Sequence, residues 1–363
     1  MSQIRLMKPY IGFDEVEAEF REVFHSGIFT RGQHVEAFRA ELAAYTGARH
    51  AFLTTSATTS LWVCLKLLGV GAGDEVIVSD FSFPASANVI EDLGAVPVFA
   101  DVSPDSFNML PDALNALIGP RTKAVMFVDA LGNPTGLTEI KRICTERGIP
   151  LIEDAACAIG SGEHGVRCGT IADLTCFSFH PRKLISTGEG GAITTNRDDW
   201  ADWLSVKLAH GGSGMKGVGV DFVDFGYNFR LSELQAVMGR KQLARIDEIV
   251  RERNSIRDRY IALLAPLGFV AQAVGPSVTY NVQSMVFKVP EGCARDELIA
   301  RLRGQVETTI GTYALSSGSY FLKKYNAPQP VSAALEANTI TFPCFTGLDV
   351  DAVAERVQAA LKG

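Results

Sequence analysis

Between residues 50 and 200 the hydrophobic pattern keeps changing period, and that alternation restricts the fold more than any other feature. Seven short runs read as strands: HAFLTT (50–55), EVIVS (75–79), VPVFADV (96–102), AVMFVDAL (124–131), IPLIEDAA (149–156), LTCFSFH (174–180) and GAITTN (191–196). Several are almost continuously apolar instead of alternating, as strands covered on both faces are. Between them lie TTSLWVCLKLLG, PASANVIEDLG, LPDALNALIG and TEIKRICTERG, helical segments that each close on a glycine. The repeated strand–helix–strand pattern predicts an α/β fold, with a mostly parallel seven-stranded sheet between helices. Right-handed crossovers then bring the carboxyl ends of the strands, and any ligand, to one edge.

Residues 231–265 read as one long helical stretch bridging to a second domain. Ser232 suits its N-cap, although Glu233 stands too early to complete a capping box. An alternating strand, YNVQSMVFKV (280–289), and the helices ARDELIARLRG and DVDAVAERVQAALKG predict a small C-terminal α+β domain. The division is expected as 1–245 for the large domain, N-terminal segment included, and 246–363 for the small one. GSGMKG (212–217) has the glycine spacing of a dinucleotide fingerprint. It follows a helical pattern instead of a strand, so a mobile loop is expected there.

Of the 363 residues, 47% are hydrophobic and 21% charged, which fits a globular chain and excludes a disordered or fibrous one. A net charge of −7 lacks the basic footprint of a nucleic-acid binder. No apolar stretch approaches the roughly 20 residues needed to cross a bilayer, so no membrane partner is expected. The opening MSQIRLMKPYIGFDE shows neither an apolar h-region nor a cleavage site. Cysteines at 64, 144, 157, 168, 176, 293 and 344 form no C-x-x-C pair and read as reduced thiols of a cytoplasmic protein. His164 and Cys168 lie close together without a second ligand pair, so no zinc site is expected.

Two segments put polar groups where a buried sheet would not tolerate them unpartnered. IPLIEDAACAIG ends an apolar strand on Glu153 and Asp154. SFHPRKLISTGEGGAI sets Ser178, His180 and Lys183 between two strands, ahead of a glycine-rich turn at 188–191. Alone, Asp154 reads as a loop-edge carboxylate and Lys183 as a solvated lysine. At successive strand ends they fit pyridoxal phosphate, which needs an amine to form an imine, an acid to keep its pyridine nitrogen protonated, and donors for its phosphate. Lys183 supplies the amine and, once displaced, the proton-transfer base; Asp154 pairs with the ring nitrogen. Ser56, Ala57 and Thr58 lead into a helix whose amino end offers free N–H groups to a phosphate. Phe83, just past the second strand, is placed to lie flat on the ring, although a lone aromatic also suits a core.

The stretches GDEVIVSDFSFPASANVIEDLGAVPVFADV, EDAACAIG, SFHPRKLISTGEGGAI and GYNFRLSELQAVMGRKQL resemble the DegT/DnrJ/EryC1/StrS sugar aminotransferase family, within the fold-type-I pyridoxal phosphate enzymes. The resemblance runs from about residue 8 to the C-terminus. It implies that Lys183 is the Schiff-base lysine and Asp154 the partner of the pyridine nitrogen. Ser178, with the backbone of Ala57 and Thr58, would hold the phosphate, and Phe83 would stack on the ring. Asn228, in GYNFR, would reach the phosphate of a neighbouring subunit, making a homodimer with shared active sites. Three positions depart from the pattern. Ala57 stands where the family often has glycine, which removes freedom at positive φ. Cys157 replaces Gln or His near the ring hydroxyl, and reads equally as a cofactor contact or a buried small residue. Asp129 stands where His is usual.

By resemblance the chain is a transaminase moving an amino group from L-glutamate to a nucleotide-linked keto-sugar. A sugar dehydratase on the same fold is an alternative, since LGNP is somewhat like that branch, but the branch typically replaces with His the lysine kept here as Lys183. Cyclitol or aminohydroxybenzoate chemistry is another. A non-catalytic regulator is a third, opposed by the complete catalytic set and the lack of a basic face. Sugar contacts are expected from loops around 25–33, 129–133, 211–221 and 311–325.

Overall fold

The computed structural model describes residues 3–362. Its large sheet contains β1 (His50–Thr54), β2 (Glu75–Ser79), β3 (Val96–Ala100), β4 (Thr122–Val128), β5 (Leu151–Asp154), β6 (Leu174–Ser178) and β7 (Gly191–Thr195). The order is β1-β7-β6-β5-β4-β2-β3, with β7 antiparallel to both neighbours and the other pairs parallel. After α1 (Glu17–Ser26) and α2 (Gln33–Thr46), the crossovers are α3 (Ala57–Leu67), α4 (Ala85–Asp92), α5 (Pro111–Leu117) and α6 (Leu137–Arg147).

The continuously apolar strands have the predicted cause. Along β2, Val76 and Val78 pack with Leu61, Leu65 and Ile90 of α3 and α4, while Ile77 packs on the opposite face with Leu114, Ile140 and Ile143 of α5 and α6. All three are fully buried, so no position between Glu75 and Ser79 is left for a polar residue. After α7 (Asp198–Lys207) comes a hairpin, β8 (Gly212–Lys216) and β9 (Gly219–Phe222). The mobile loop expected over GSGMKG is therefore wrong. Gly217 sits at the hairpin turn and Gly214 at an irregularity within β8, both at positive φ.

The stretch 231–265 is two helices, α8 (Glu233–Leu243) and α9 (Ile246–Leu264). They part at Arg245, whose backbone leaves the helical region (φ −120°, ψ 16°) and whose guanidinium is held by the Tyr10 carbonyl and Glu15. The capping box also exists after all, closed by Gln235. Ser232 Oγ accepts from Gln235 N at 3.3 Å, and Gln235 Oε1 accepts from Ser232 N at 2.9 Å. Glu233 is left free to cap another helix. Buried, it accepts from Gly32 N and His34 N at 2.8 Å and from Val35 N at 3.1 Å, at the amino end of α2.

The C-terminal part is a four-stranded antiparallel sheet of β10 (Val270–Ala271), β11 (Met285–Lys288), β12 (Thr309–Ile310) and β13 (Thr339–Phe342), in the order β10-β11-β13-β12. α10 (Arg295–Leu302) and α13 (Val350–Lys362) cover it; α11 (Ser319–Tyr325) and α12 (Pro330–Asn338) complete the chain. α9 gives Ile246, Ile249 and Val250 to a core under the large sheet, and Ile256, Tyr260 and Leu264 to the core of the small one. The strand expected over 280–289 is shorter, only β11. Residues 280–284 instead pack against the loop after β5. Val282 takes positive φ (52°), and Asn281 donates to the carbonyls of Cys157 and Ile159 at 2.7 and 2.8 Å.

Candidate active site

A cavity of about 520 Å³ opens over the carboxyl ends of β4, β5 and β6, a size that suits a small-molecule ligand. Ser56, Ala57, Thr58, Phe83, Asp154, Cys157, Ser178 and Lys183 all line it. The parallel register explains the convergence: Val128 pairs with Asp154, and Asp154 with Cys176, so consecutive strands end level.

Asp154 is the last residue of β5 and 5% exposed. Its Oδ2 accepts from Ser86 Oγ at 2.7 Å and its Oδ1 from Ala156 N at 3.2 Å. Burial pushes its pKa up; these two hydrogen bonds and the charge of Lys183 pull the other way without cancelling it. A buried carboxylate in this condition suits a cationic partner in the cavity, which a protonated ring nitrogen supplies. Lys183, half-buried on the loop after β6, donates from Nζ to Cys157 Sγ at 3.1 Å. The sulfur expected near the ring hydroxyl thus sits beside the amine.

At one end of the cavity, Ser56 caps α3 by accepting from Thr59 N at 3.1 Å, which leaves the N–H groups of Ala57 and Thr58 outside the helical ladder. Ala57 is the first helical residue and does not take positive φ, so the loss of glycine there removes nothing the turn uses. The glycine that matters is Gly191: a Cβ on it would stand 2.4 Å from the Ser56 carbonyl carbon and 2.6 Å from Ala57 N. Only a bare backbone lets β7 lie against the start of α3. Ser178, buried at the end of β6, accepts from His180 N at 3.4 Å. Phe83 is 64% exposed over the cavity, edge-on to Tyr313 at 6.2 Å. These groups fit the cofactor's needs: an amine, a buried acid, free N–H donors and an open aromatic face.

Asn228 is the exception. It is exposed on the segment before α8 and does not line the cavity of its own chain. Other lining residues escaped the sequence: Leu6 and Met7, Gln283 and Ser284, and Thr309 and Ile310, whereas Gly311–Tyr313 begin the loop expected near 311–325. Their cue, an irregular polar stretch interrupting an alternating pattern, is present at Asn281 and Gln283 but was read as strand.

An acid and a lysine at the ends of adjacent strands, with a helix amino end beside them, define a pyridoxal-phosphate-dependent transferase of fold type I. The chain belongs to the DegT/DnrJ/EryC1/StrS aminotransferase family, whose model matches residues 12–362. GDP-perosamine synthase of Caulobacter vibrioides is 32% identical over 91% of this chain and 90% of its own. The crystal structure of the aminotransferase TlmJ from Streptoalloteichus hindustanus matches with a TM-score of 0.93 and 32% identity, over 99% of both chains. The PLP-form of the putative sugar aminotransferase Spr1654 from Streptococcus pneumoniae matches with a TM-score of 0.91 and 28% identity, over 99% of both chains. The protein is a PLP-dependent aminotransferase, and pyridoxal phosphate is its cofactor. Among the described residues no helix is long and apolar enough to cross a membrane.

Proposed function

We propose that the enzyme aminates a nucleotide-linked keto-sugar, with L-glutamate as amino donor. The observation that carries this is the meeting of Asp154, Lys183 and the free amino end of α3 around one cavity, in a chain similar to a GDP-perosamine synthase. When bound, pyridoxal phosphate supplies an electron sink and carries the amino group between the two substrates. Asp154 holds the proton on the ring nitrogen. Lys183 anchors the cofactor and, once released, moves a proton at the amino-bearing carbon of donor and sugar. The N–H groups of Ala57 and Thr58, with Ser178, bind the phosphate, and Phe83 orients the ring. Cys157, beside the Lys183 amine, would contact the cofactor. Arg182 also lines the cavity, where its cationic group suits a substrate diphosphate.

The working unit is a homodimer in which Asn228 reaches the partner's cofactor phosphate. The β8–β9 hairpin supports this: Met215, Val218, Val220 and Phe222 are exposed, an apolar surface that a lone chain gains nothing by displaying. The seven free cysteines suit the cytoplasm. The test is incubation with glutamate and a panel of nucleotide keto-sugars, followed by mass spectrometry. One 2-oxoglutarate per amino sugar is expected; loss of a sugar hydroxyl without 2-oxoglutarate would establish a dehydratase instead.

A further inference from the structure

Glu153 and Asp154 are neighbours on β5, so their side chains leave opposite faces of the strand. Asp154 serves the cavity. Glu153, fully buried, points into the sheet's other layer, where Oε2 accepts from Thr175 Oγ1 at 2.7 Å and from Gly169 N at 3.3 Å. Its Oε1 meets no donor. Facing it at the end of β4 is Asp129, 1% exposed, with neither carboxylate oxygen partnered. One ligand atom each from Asp129, Glu153 and Cys168 lie within 4.8 Å of one another.

Nothing nearby balances two negative charges. The ionisable groups around the pair are Asp154, Cys157, Cys168 and Cys176, with Glu163 beyond Cys168; Lys183 acts on Asp154. Among the described residues, neither carboxylate has a Lys, Arg or His within ion-pair distance. Two carboxylates in such a place cannot both ionise near neutrality. A proton on one of them also turns an acceptor into the missing donor, which pairs two of the three orphaned oxygens.

We infer that Asp129 and Glu153 share one proton, carried on Asp129 and donated to Glu153, so that Asp129 acts as a neutral hydrogen-bond donor. The assignment to Asp129 follows from the surroundings, since Glu153 already has Thr175 and Gly169 to stabilise its charge. Burial and the facing Glu153 push the Asp129 pKa well up; burial also raises that of Glu153, but there the Thr175 donor opposes it. The proton ties the end of β4 to the strand bearing Asp154, whose carbonyl already accepts from Asp129 N at 3.2 Å. It also leaves Asp154 as the carboxylate available to a cation in the cavity. The pairing needs no ligand, and therefore stands or falls separately from the proposed substrate.

Infrared spectra of protein carrying ¹³C-carboxyl aspartate, with and without cofactor at neutral pH, provide the test. A protonated-carboxyl band that shifts with the label and vanishes in Asp129→Asn is expected. Stability provides a second readout. Above the usual carboxyl range the unfolded chain has lost this proton and the native chain has kept it, so native stability falls as pH rises. Its unfolding constant should grow by about tenfold per pH unit relative to that of Asp129→Asn, between about pH 5 and 7. Where Asp129→Asn does not fold, Asp129→Ser, which keeps an O–H and does not titrate, serves for both comparisons. A labelled band absent from the wild type, or pH curves that run parallel, overturns the inference. So does a stoichiometric divalent metal on elemental analysis that Asp129→Asn removes.

Discussion

The floor and the rim of the cavity are built on different principles. Asp154 and Ser178 are placed by strand register, each at the end of a fully buried strand, and the start of α3 lies against Gly191 of β7. The rim comes from segments that leave regular structure: Val282 at positive φ, beside the lining residues Gln283 and Ser284, and the short pairing of Tyr313 and Ala314 with residues 81–82. A β-branched residue in the left-handed region costs roughly 1–3 kcal/mol and persists only where its surroundings hold it. Here Asn281 and Gln283 do so, through the carbonyls of Cys157, Ile159 and Arg182. The floor thus carries chemistry shared by any substrate of this reaction, and the rim is free to differ.

If that division is right, floor substitutions remove the reaction and rim substitutions leave the cofactor seated. The largest effect is expected for Lys183→Ala. Loss of both anchor and base should cost transamination at least about 10³-fold and abolish the absorbance of the lysine-bound cofactor. Retained turnover would show that the floor has been misassigned.

Next comes Gly191→Ala. The added methyl group runs into the Ser56 and Ala57 backbone, which cannot swing aside as a side chain could. A loss of about 3 kcal/mol in urea unfolding is expected, at the upper end for overpacking, together with weaker cofactor retention. An unchanged midpoint would mean that β7 does not press on α3.

Asn281→Ala probes the seam between the two regions. It strips donors from two carbonyls of the loop after β5 and frees Gln283 N, so about 2 kcal/mol of stability should go. Cofactor absorbance should persist while the Michaelis constant for the sugar rises. Loss of the cofactor instead would place this strap with the floor.

The contrast also explains what could be read from the chain. Continuous apolar runs such as Val76–Val78 reveal a sheet covered on both faces, because burial leaves no choice of residue. The polar groups closing those runs, Asp154 and Ser178, stand out for the same reason. Long-range partners leave no such local mark. Nothing near Glu233 announces that it caps α2, some 200 residues earlier, and its prominence hid the capping box that Gln235 completes. At 280–284 the alternation mimics a strand, yet the backbone turns to satisfy carbonyls of the loop after β5. Asn228 was legible only by resemblance, and one chain gives it no cavity to line.

The smallest effect on the folded chain belongs to the hairpin. Val218 lies at its tip, wholly exposed, with Met215, Val220 and Phe222 behind it. The hairpin's base is tied to α7 by Lys207, which pairs with Asp224 at 2.7 Å, so the tip contributes little to the core. Val218→Asp should therefore change unfolding by less than about 0.5 kcal/mol. The same charge, buried against a second copy, would be expensive. Sedimentation should then show the proposed dimer weakened while the separated chains stay folded. A variant that sediments as the wild type does would put the subunit contact elsewhere, and with it the route by which Asn228 could reach a neighbouring phosphate.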